Sequence, residues 1–277
     1  MRYVELPGGE RVPALGQGTW HMGERGGDRV AEVASLRAGL DQGLTLIDTA
    51  EMYGDGGAER VVGEAMAGRR DEVFLVSKVF PHNAGRSGVA AACERSLERL
   101  GTDRIDLYLL HWRGGASLAE AVAGFRDLQK AGKIRYWGVS NLDADDLDDL
   151  RQVPGGAEAV TDQLLYHLGE RGIEWQVQPW LRRHGIPVMA YCPLGQGRLL
   201  QHPGLQEFAR RHGMTPAQAA LAWLLDQRDA IAIPKTRSLE RVAENRAALE
   251  ITLTDDQRTE LEALFPPPQS ARPLAIV

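Results

Sequence analysis

Three titratable residues close strongly apolar runs: Asp48 after Thr-Leu-Ile, Lys78 after Phe-Leu-Val-Ser, and His111 after Leu-Tyr-Leu-Leu. An unpaired charge is costly to bury at such a position, so Asp48 and Lys78 are expected to pair. Tyr53 follows five residues past Asp48, on the segment Asp48-Thr-Ala-Glu-Met-Tyr-Gly. A free phenol, with a pKa near about 10, is a poor acid at neutral pH. A neighbouring lysine ammonium favours phenolate and makes the proton easier to give away. Lys78 is the expected neighbour, held charged and oriented by Asp48, while His111 directs a neutral N–H toward a carbonyl oxygen. Such a set can deliver a proton to an oxygen that gains negative charge.

Ser140-Asn141, Gln163, Tyr191 and Lys235 extend the pattern, each at the end of a further short run. One polar residue in such a place is ordinarily the first residue of a loop or a cap for the next helix. The set acquires meaning if the runs are parallel strands whose ends meet. The candidate strands are Leu15 to Gly18, Thr45 to Asp48, Val73 to Lys78, Ile105 to His111, Tyr136 to Ser140, Ala159 to Gln163, Pro187 to Tyr191 and Ile231 to Lys235. Helix-patterned stretches lie between them, among them Arg29 to Gln42, Val89 to Leu100, Leu118 to Ala131 and Pro216 to Gln227, with a last one at Thr254 to Leu264. Eight strand–helix units close a barrel more naturally than they extend an open sheet, and all strand C-termini of a barrel emerge at one mouth. Tyr3 to Ala14, broken at Pro7-Gly8-Gly9, reads as a short hairpin, a lid or plug. The expected class is α/β: a (β/α)8 TIM barrel with an N-terminal β-hairpin, one domain over residues 1–277.

A chain of 277 residues that is 43% hydrophobic can bury one core of this kind. Net charge −6 and a pI near 5.7 leave no global basic surface for nucleic acid or anionic membrane, so a small molecule is the expected ligand. Cys93 and Cys192 are the only cysteines, without zinc spacing, so neither a disulfide framework nor a zinc site is expected. Asp143-Ala-Asp-Asp-Leu-Asp-Asp lacks the glycine and terminal glutamate of a calcium loop and reads as a solvated helix start. No metal is expected. The opening MRYVELPGGE has a polar turn where a signal peptide needs an apolar core, and no later run is long enough to span a bilayer, which points to the cytoplasm. Gly16-Gln-Gly-Thr-Trp-His and Gly195-Gln-Gly-Arg-Leu-Leu both lack the third glycine of a Rossmann fingerprint, and neither a Walker lysine loop nor HExxH occurs. Any dinucleotide must be held another way. The tail from Pro266 to Pro273 cannot be helical at its prolines and is expected as a disordered end or a loop over the barrel mouth.

Several segments combine into one signature: Gly16-Gln-Gly-Thr-Trp, Leu46-Ile-Asp-Thr-Ala-Glu-Met-Tyr-Gly, Val76-Ser-Lys, Leu107-Tyr-Leu-Leu-His-Trp, Gly138-Val-Ser-Asn, Tyr191-Cys-Pro-Leu-Gly, Ile233-Pro-Lys and Glu244-Asn245. From Leu15 to Asn245 the sequence resembles the aldo-keto reductase family. The resemblance implies that Asp48, Tyr53, Lys78 and His111 form the catalytic quartet. It implies NADPH in preference to NADH, with Ser140, Asn141 and Gln163 on the nicotinamide carboxamide and Tyr191 stacked on its ring. Leu194, Gly195 and Gly197 then lie near the pyrophosphate, Lys235, Thr236 and Arg241 on the adenosine 2′-phosphate, and Glu244 and Asn245 on the adenine. Trp20, Phe80, His82 and Trp112 are implied on the substrate side, and the lesser alternative for Trp20 or Phe80 is a plug in the barrel.

The similarity is nearest to bacterial members resembling methylglyoxal and 2,5-diketogluconate reductases, through Lys78-Val-Phe-Pro-His-Asn-Ala-Gly. It implies reduction of a small aldehyde or dicarbonyl by hydride transfer, with Tyr53 as general acid, in a monomer. The sequence departs from the family at Asp162, where asparagine is more usual, at Leu168 in place of proline, and at Cys192 in place of serine. Two alternatives stay open: a barrel that senses NADPH with little turnover, as resemblance to ion-channel β subunits would allow, and a phosphate-binding metabolic barrel, which Gly195-Gln-Gly partly imitates.

Overall fold

The computed structural model describes residues 1–277. A hairpin of β1 (Tyr3–Glu5) and β2 (Arg11–Pro13) precedes β3 (Gln17–Gly18), α1 (Arg29–Asp41), β4 (Leu46–Asp48), α2 (Gly57–Ala65), β5 (Phe74–Val79), α3 (Arg86–Leu100) and β6 (Ile105–Leu110). Next come α4 (Leu118–Lys130), β7 (Ile134–Ser140), α5 (Ala144–Gln152), β8 (Asp162–Leu165), α6 (Val177–Arg183) and β9 (Val188–Tyr191). The chain ends with α7 (Pro203–Arg211), α8 (Pro216–Asp226), β10 (Ala230–Ala232), α9 (Leu239–Ala247), α10 (Asp255–Leu264) and an irregular tail.

Strands β3 to β10 form one eight-stranded parallel sheet in chain order, the consequence of a helix crossing over between successive strands. The sheet closes on itself where Leu15 bridges Ala232 and the Gly16 and Gly18 amides donate to Ala232 and Pro234 at 2.8 and 3.0 Å. Only glycine fits that seam: a Cβ on Gly18 would lie 2.7 Å from the Ile233 carbonyl oxygen. Both faces of β5 and β6 are buried, which is why these runs show no polar alternation. Helix starts follow the side chains: Thr215 and Gln218 form a capping box ahead of α8, and Ser117 caps α4.

All eight strand spans differ from expectation by a residue or more, and three of the shifts bear on the barrel's closure or its site. The first barrel strand begins at Gln17 rather than Leu15, because Leu15 and Gly16 are spent on the closing seam. The sixth runs Asp162–Leu165 rather than Ala159–Gln163, since Leu164 and Leu165 continue the pairing with Ala190 and Tyr191. The eighth stops at Ala232, so Lys235 sits on a loop, beyond Pro234.

The hairpin plugs the end opposite the strand C-termini, burying Val4, Leu6 and Val12. A concavity of about 450 Å³ beside it is lined by ion-paired residues, with Arg70 and Arg135 reaching Asp106 at 2.8 and 2.9 Å. That end of a barrel serves stability. Asp143 caps α5 by accepting from the Asp146 amide at 2.9 Å, the helix start read from the acidic run. The tail crosses the loop after β8, where Pro266 to Gln269 and Arg272 share a concavity with Leu168 to Gly172. It is a loop at the barrel mouth.

Candidate active site

Adjacent parallel strands bring Asp48, at the end of β4, and Lys78, on β5, side by side. Lys78 Nζ donates to the Asp48 carboxylate at 2.8 Å, to the Thr49 carbonyl at 2.9 Å and to the Tyr53 hydroxyl at 3.3 Å. Lys78 and Asp48 are 0% and 2% exposed, so each charge depends on the other. The ammonium also lies 4.8 Å from the Tyr53 ring centroid, and that ring meets His111 edge-on at 5.6 Å. The four residues read from the sequence are brought together.

Burial disfavours every charge here. It raises the Asp48 carboxyl against the pull of Lys78, and lowers the Lys78 ammonium against the support of Asp48. Burial first, then Lys78, drives the His111 imidazole well below its ordinary range, leaving it neutral at neutral pH as expected. The Tyr53 phenol moves opposite to expectation. Burial and then the Asp48 carboxylate raise it well above 10, so the phenol holds its proton rather than loosening it. The Asp48 carboxylate that holds the ammonium also repels a phenolate, and the buried phenolate would lose its solvation.

On the far side of the mouth the polar strand ends bind one another. Ser140 Oγ donates to the Gln163 carbonyl at 2.8 Å, and Asn141 Nδ2 donates to Ser140 Oγ at 3.1 Å and to the His111 carbonyl at 3.2 Å. The Tyr191 hydroxyl donates to Asn141 Oδ1 at 2.9 Å. Asn141 (φ 58°) and Cys192 (φ 48°) both take the left-handed conformation, which turns the chain sharply out of β7 and β9. Gln163 Nε2 donates to Asp48 Oδ1 at 2.7 Å and so reaches across the barrel to the first group. Burial raises the Tyr191 hydroxyl, opposed by the backbone amide of Val277 from the tail.

Leu194, Gly195 and Gly197 form a tight turn in which Gly195, Gln196 and Gly197 all have positive φ (56°, 55° and 84°). Lys235 and Arg241 are exposed on either side of the Ser238 cap of α9, while Thr236 Oγ1 accepts from the Ser238 amide at 3.1 Å. Glu244 is half-buried and Asn245 is buried on the same helix. Arg237, which the sequence reading did not single out, is a third exposed cation there; burial and then, against the pull of Glu32, Arg237 lower the Lys235 ammonium. Its signal was present in the run Lys235-Thr-Arg.

Of the four aromatic candidates, three share one wall. Phe80 contacts His82 at 4.3 Å and Trp112 at 4.8 Å, and Trp112 contacts His111 at 5.2 Å. Trp20 instead stacks on its neighbour His21 at 4.2 Å.

Residues 14–265 match the model of the aldo/keto reductase family. Over 281 residues the chain is 50% identical to methylglyoxal reductase YeaE of Escherichia coli (strain K12), covering 100% of this chain and 99% of that protein. It is 31% identical to a glyoxal reductase of Bacillus subtilis (strain 168), with 94% and 92% covered. A crystal structure of an aldo/keto reductase from Klebsiella pneumoniae in complex with NADP and acetate superposes with a TM-score of 0.96 at 51% identity, over 99% of each chain. Motifs, barrel, clustered quartet and full-length similarity agree, and the chain belongs to the aldo/keto reductase family.

Proposed function

We propose that this protein reduces small aldehydes or dicarbonyl compounds to alcohols with NADPH, with Tyr53 as the proton donor. The contact that carries this reading is the buried Lys78 ammonium between the Asp48 carboxylate and the Tyr53 hydroxyl. The site has groups that fit the cofactor. Three exposed cations, Lys235, Arg237 and Arg241, flank the N-terminus of α9 and suit a 2′-phosphate. The face of Tyr191 and the amides of Asn141 and Gln163 suit a nicotinamide ring and its carboxamide, with Ser140 behind them. When bound, the cofactor supplies a hydride for the carbonyl carbon.

The chain's own residues manage the oxygen. A neutral His111 N–H and the Tyr53 hydroxyl orient the carbonyl without adding a full charge. As negative charge grows on that oxygen it becomes far more basic than a phenolate, since an alcohol, like water, is a much weaker acid than a phenol. Tyr53 therefore gives up its proton only as the alkoxide forms, and the Lys78 ammonium stabilises the phenolate left behind. The rim of Phe80, His82 and Trp112 suits compact substrates. Similarity to the methylglyoxal and glyoxal reductases favours dicarbonyls among them. We further infer one domain over residues 1–277, acting as a cytoplasmic monomer.

Purified protein assayed for NADPH oxidation against small aldehydes and dicarbonyls tests the reading. Tyr53→Phe is expected to lose about 10³-fold in kcat while keeping NADPH affinity, the scale of a lost general acid. Undiminished turnover in that variant would move the proton donor elsewhere. A wild type that binds NADPH but oxidises none would instead favour the sensor reading.

A further inference from the structure

Glu51 lies two residues before Tyr53, on the loop between β4 and α2, with a side chain only 8% exposed. Its Oε1 accepts from the Phe80 backbone amide at 2.7 Å and from Asn83 Nδ2 at 3.0 Å, and its Oε2 lies 3.6 Å from Arg95 Nη2 on α3. Phe80 follows the last residue of β5, so its amide has left the strand ladder and the carboxylate serves as its acceptor. Charge-assisted bonds of this kind are short and strong, and they offset the cost of burying the acid.

The consequence is geometric. A chain of ring contacts runs from Tyr53 to His111, on to Trp112, and then to Phe80 and His82. Glu51 returns from Phe80 to the loop that carries Tyr53, which closes the circuit around one side of the mouth. The other ties of that loop hold the phenol but not the wall: the Thr49 carbonyl accepts from Lys78 Nζ at 2.9 Å, and the Glu51 amide donates to the Lys78 carbonyl at 3.4 Å. Movement of the Phe80 backbone away from the loop that carries Tyr53 breaks the Glu51 hydrogen bond.

We propose that Glu51 is a positioning residue that fixes the spacing between the aromatic wall and the Tyr53 hydroxyl and thereby selects compact carbonyl substrates. This rests on the reductase reading above. A small dicarbonyl finds most of its contacts on that one wall, so its binding depends on the spacing more than that of a longer substrate, which gains contacts elsewhere. The residues proposed to hold NADPH lie on the other side of the mouth, and none of them shares a hydrogen bond with Glu51.

The test compares Glu51→Ala, Glu51→Gln and Phe80→Ala with the double variant Glu51→Ala/Phe80→Ala. For a small dicarbonyl, Glu51→Ala is expected to raise KM by about 10-fold, the scale of a lost bond to a charged acceptor, with a smaller change in kcat and an unchanged NADPH Kd. Glu51→Gln keeps an acceptor oxygen for the Phe80 amide and is expected to recover most of the loss. In the Phe80→Ala background, which keeps the amide but lacks the ring that Glu51 places, removal of Glu51 should add nothing further. An unmoved KM, a matching shift in NADPH Kd, no recovery in Glu51→Gln, or additive effects in the double variant each overturn the proposal. Wild-type protein that reduces no carbonyl compound overturns the reductase reading as well, whereas active wild type with an indifferent Glu51→Ala overturns this inference alone.

Discussion

The Gln163 side-chain amide donates to the Asp48 carboxylate at 2.7 Å, across 115 residues of sequence and the width of the barrel. A side chain suited to the nicotinamide carboxamide thus also holds the acid that keeps Lys78 charged. Loss of Gln163 should therefore be felt on both sides. Gln163→Leu is expected to weaken NADPH binding by about 10-fold and to lower kcat by a similar factor, each the scale of one lost bond to a charged partner. Gln163→Glu should be worse in kcat, because a second acid facing Asp48 draws the pair toward sharing a proton. Fluorescence titration of NADPH and steady-state kinetics read the two effects separately; a change in affinity alone would uncouple them.

The Asp48–Lys78 pair is buried, so removal of one partner strands the other. Lys78→Met is expected to cost about 3–5 kcal/mol of unfolding free energy and to abolish turnover. Asp48→Asn/Lys78→Met, with no charge left to strand, should regain part of that stability while remaining inactive. Urea denaturation of the two variants decides the matter: equal stabilities would mean that the pair contributes no mutual support.

The barrel could be read because its strands are short apolar runs separated by helical periodicity, and the quartet because Asp48, Lys78 and His111 stand out against such runs. Beyond the Asp48–Lys78 pair, lateral contacts are not legible. Nothing local to Gln163 points at Asp48, and nothing in Glu51 announces Phe80, since both links exist only once the strands curl round. The acidity of Tyr53 is not legible for the same reason, because solvation is a property of the assembled site. Lys235 reads as a strand end in the sequence because the run Ile-Ala-Ile-Pro continues apolar beyond Ala232, where pairing stops.

Arg237 and Arg241 bracket the Ser238 cap, so both are placed to meet a dianionic 2′-phosphate at the helix N-terminus. Each arginine changed to alanine is expected to raise the NADPH Kd by about 10-fold, the scale of a charge-assisted bond, and to move the NADH Kd by less than about twofold. A uniform loss for both cofactors would dissociate these cations from the 2′-phosphate.

Asp162 opens β8 fully buried, with no side-chain partner for either carboxyl oxygen and only the backbone amides of Leu142 and Asn141 as weak donors beside it. Burial pushes its pKa well above the ordinary 3.8, opposed by the Leu142 amide and assisted by the negative charge of Asp146 and Asp143. A carboxyl whose pKa is raised on folding binds its proton more tightly in the native state than in the unfolded chain. Its stabilising effect is complete below pH 3.8 and fades as pH rises toward the folded pKa, so at neutral pH the acid is a net cost. Asp162→Asn removes the titration while keeping the shape. The variant is expected to melt about 2–4 °C above wild type near neutral pH, the equivalent of roughly 1 kcal/mol in a chain of this size, with the gap closing as the pH falls toward about 4. Melting curves across that range check both the sign and the trend. A gap that stays constant with pH would show that the benefit of asparagine comes from its hydrogen bonds and not from the lost titration.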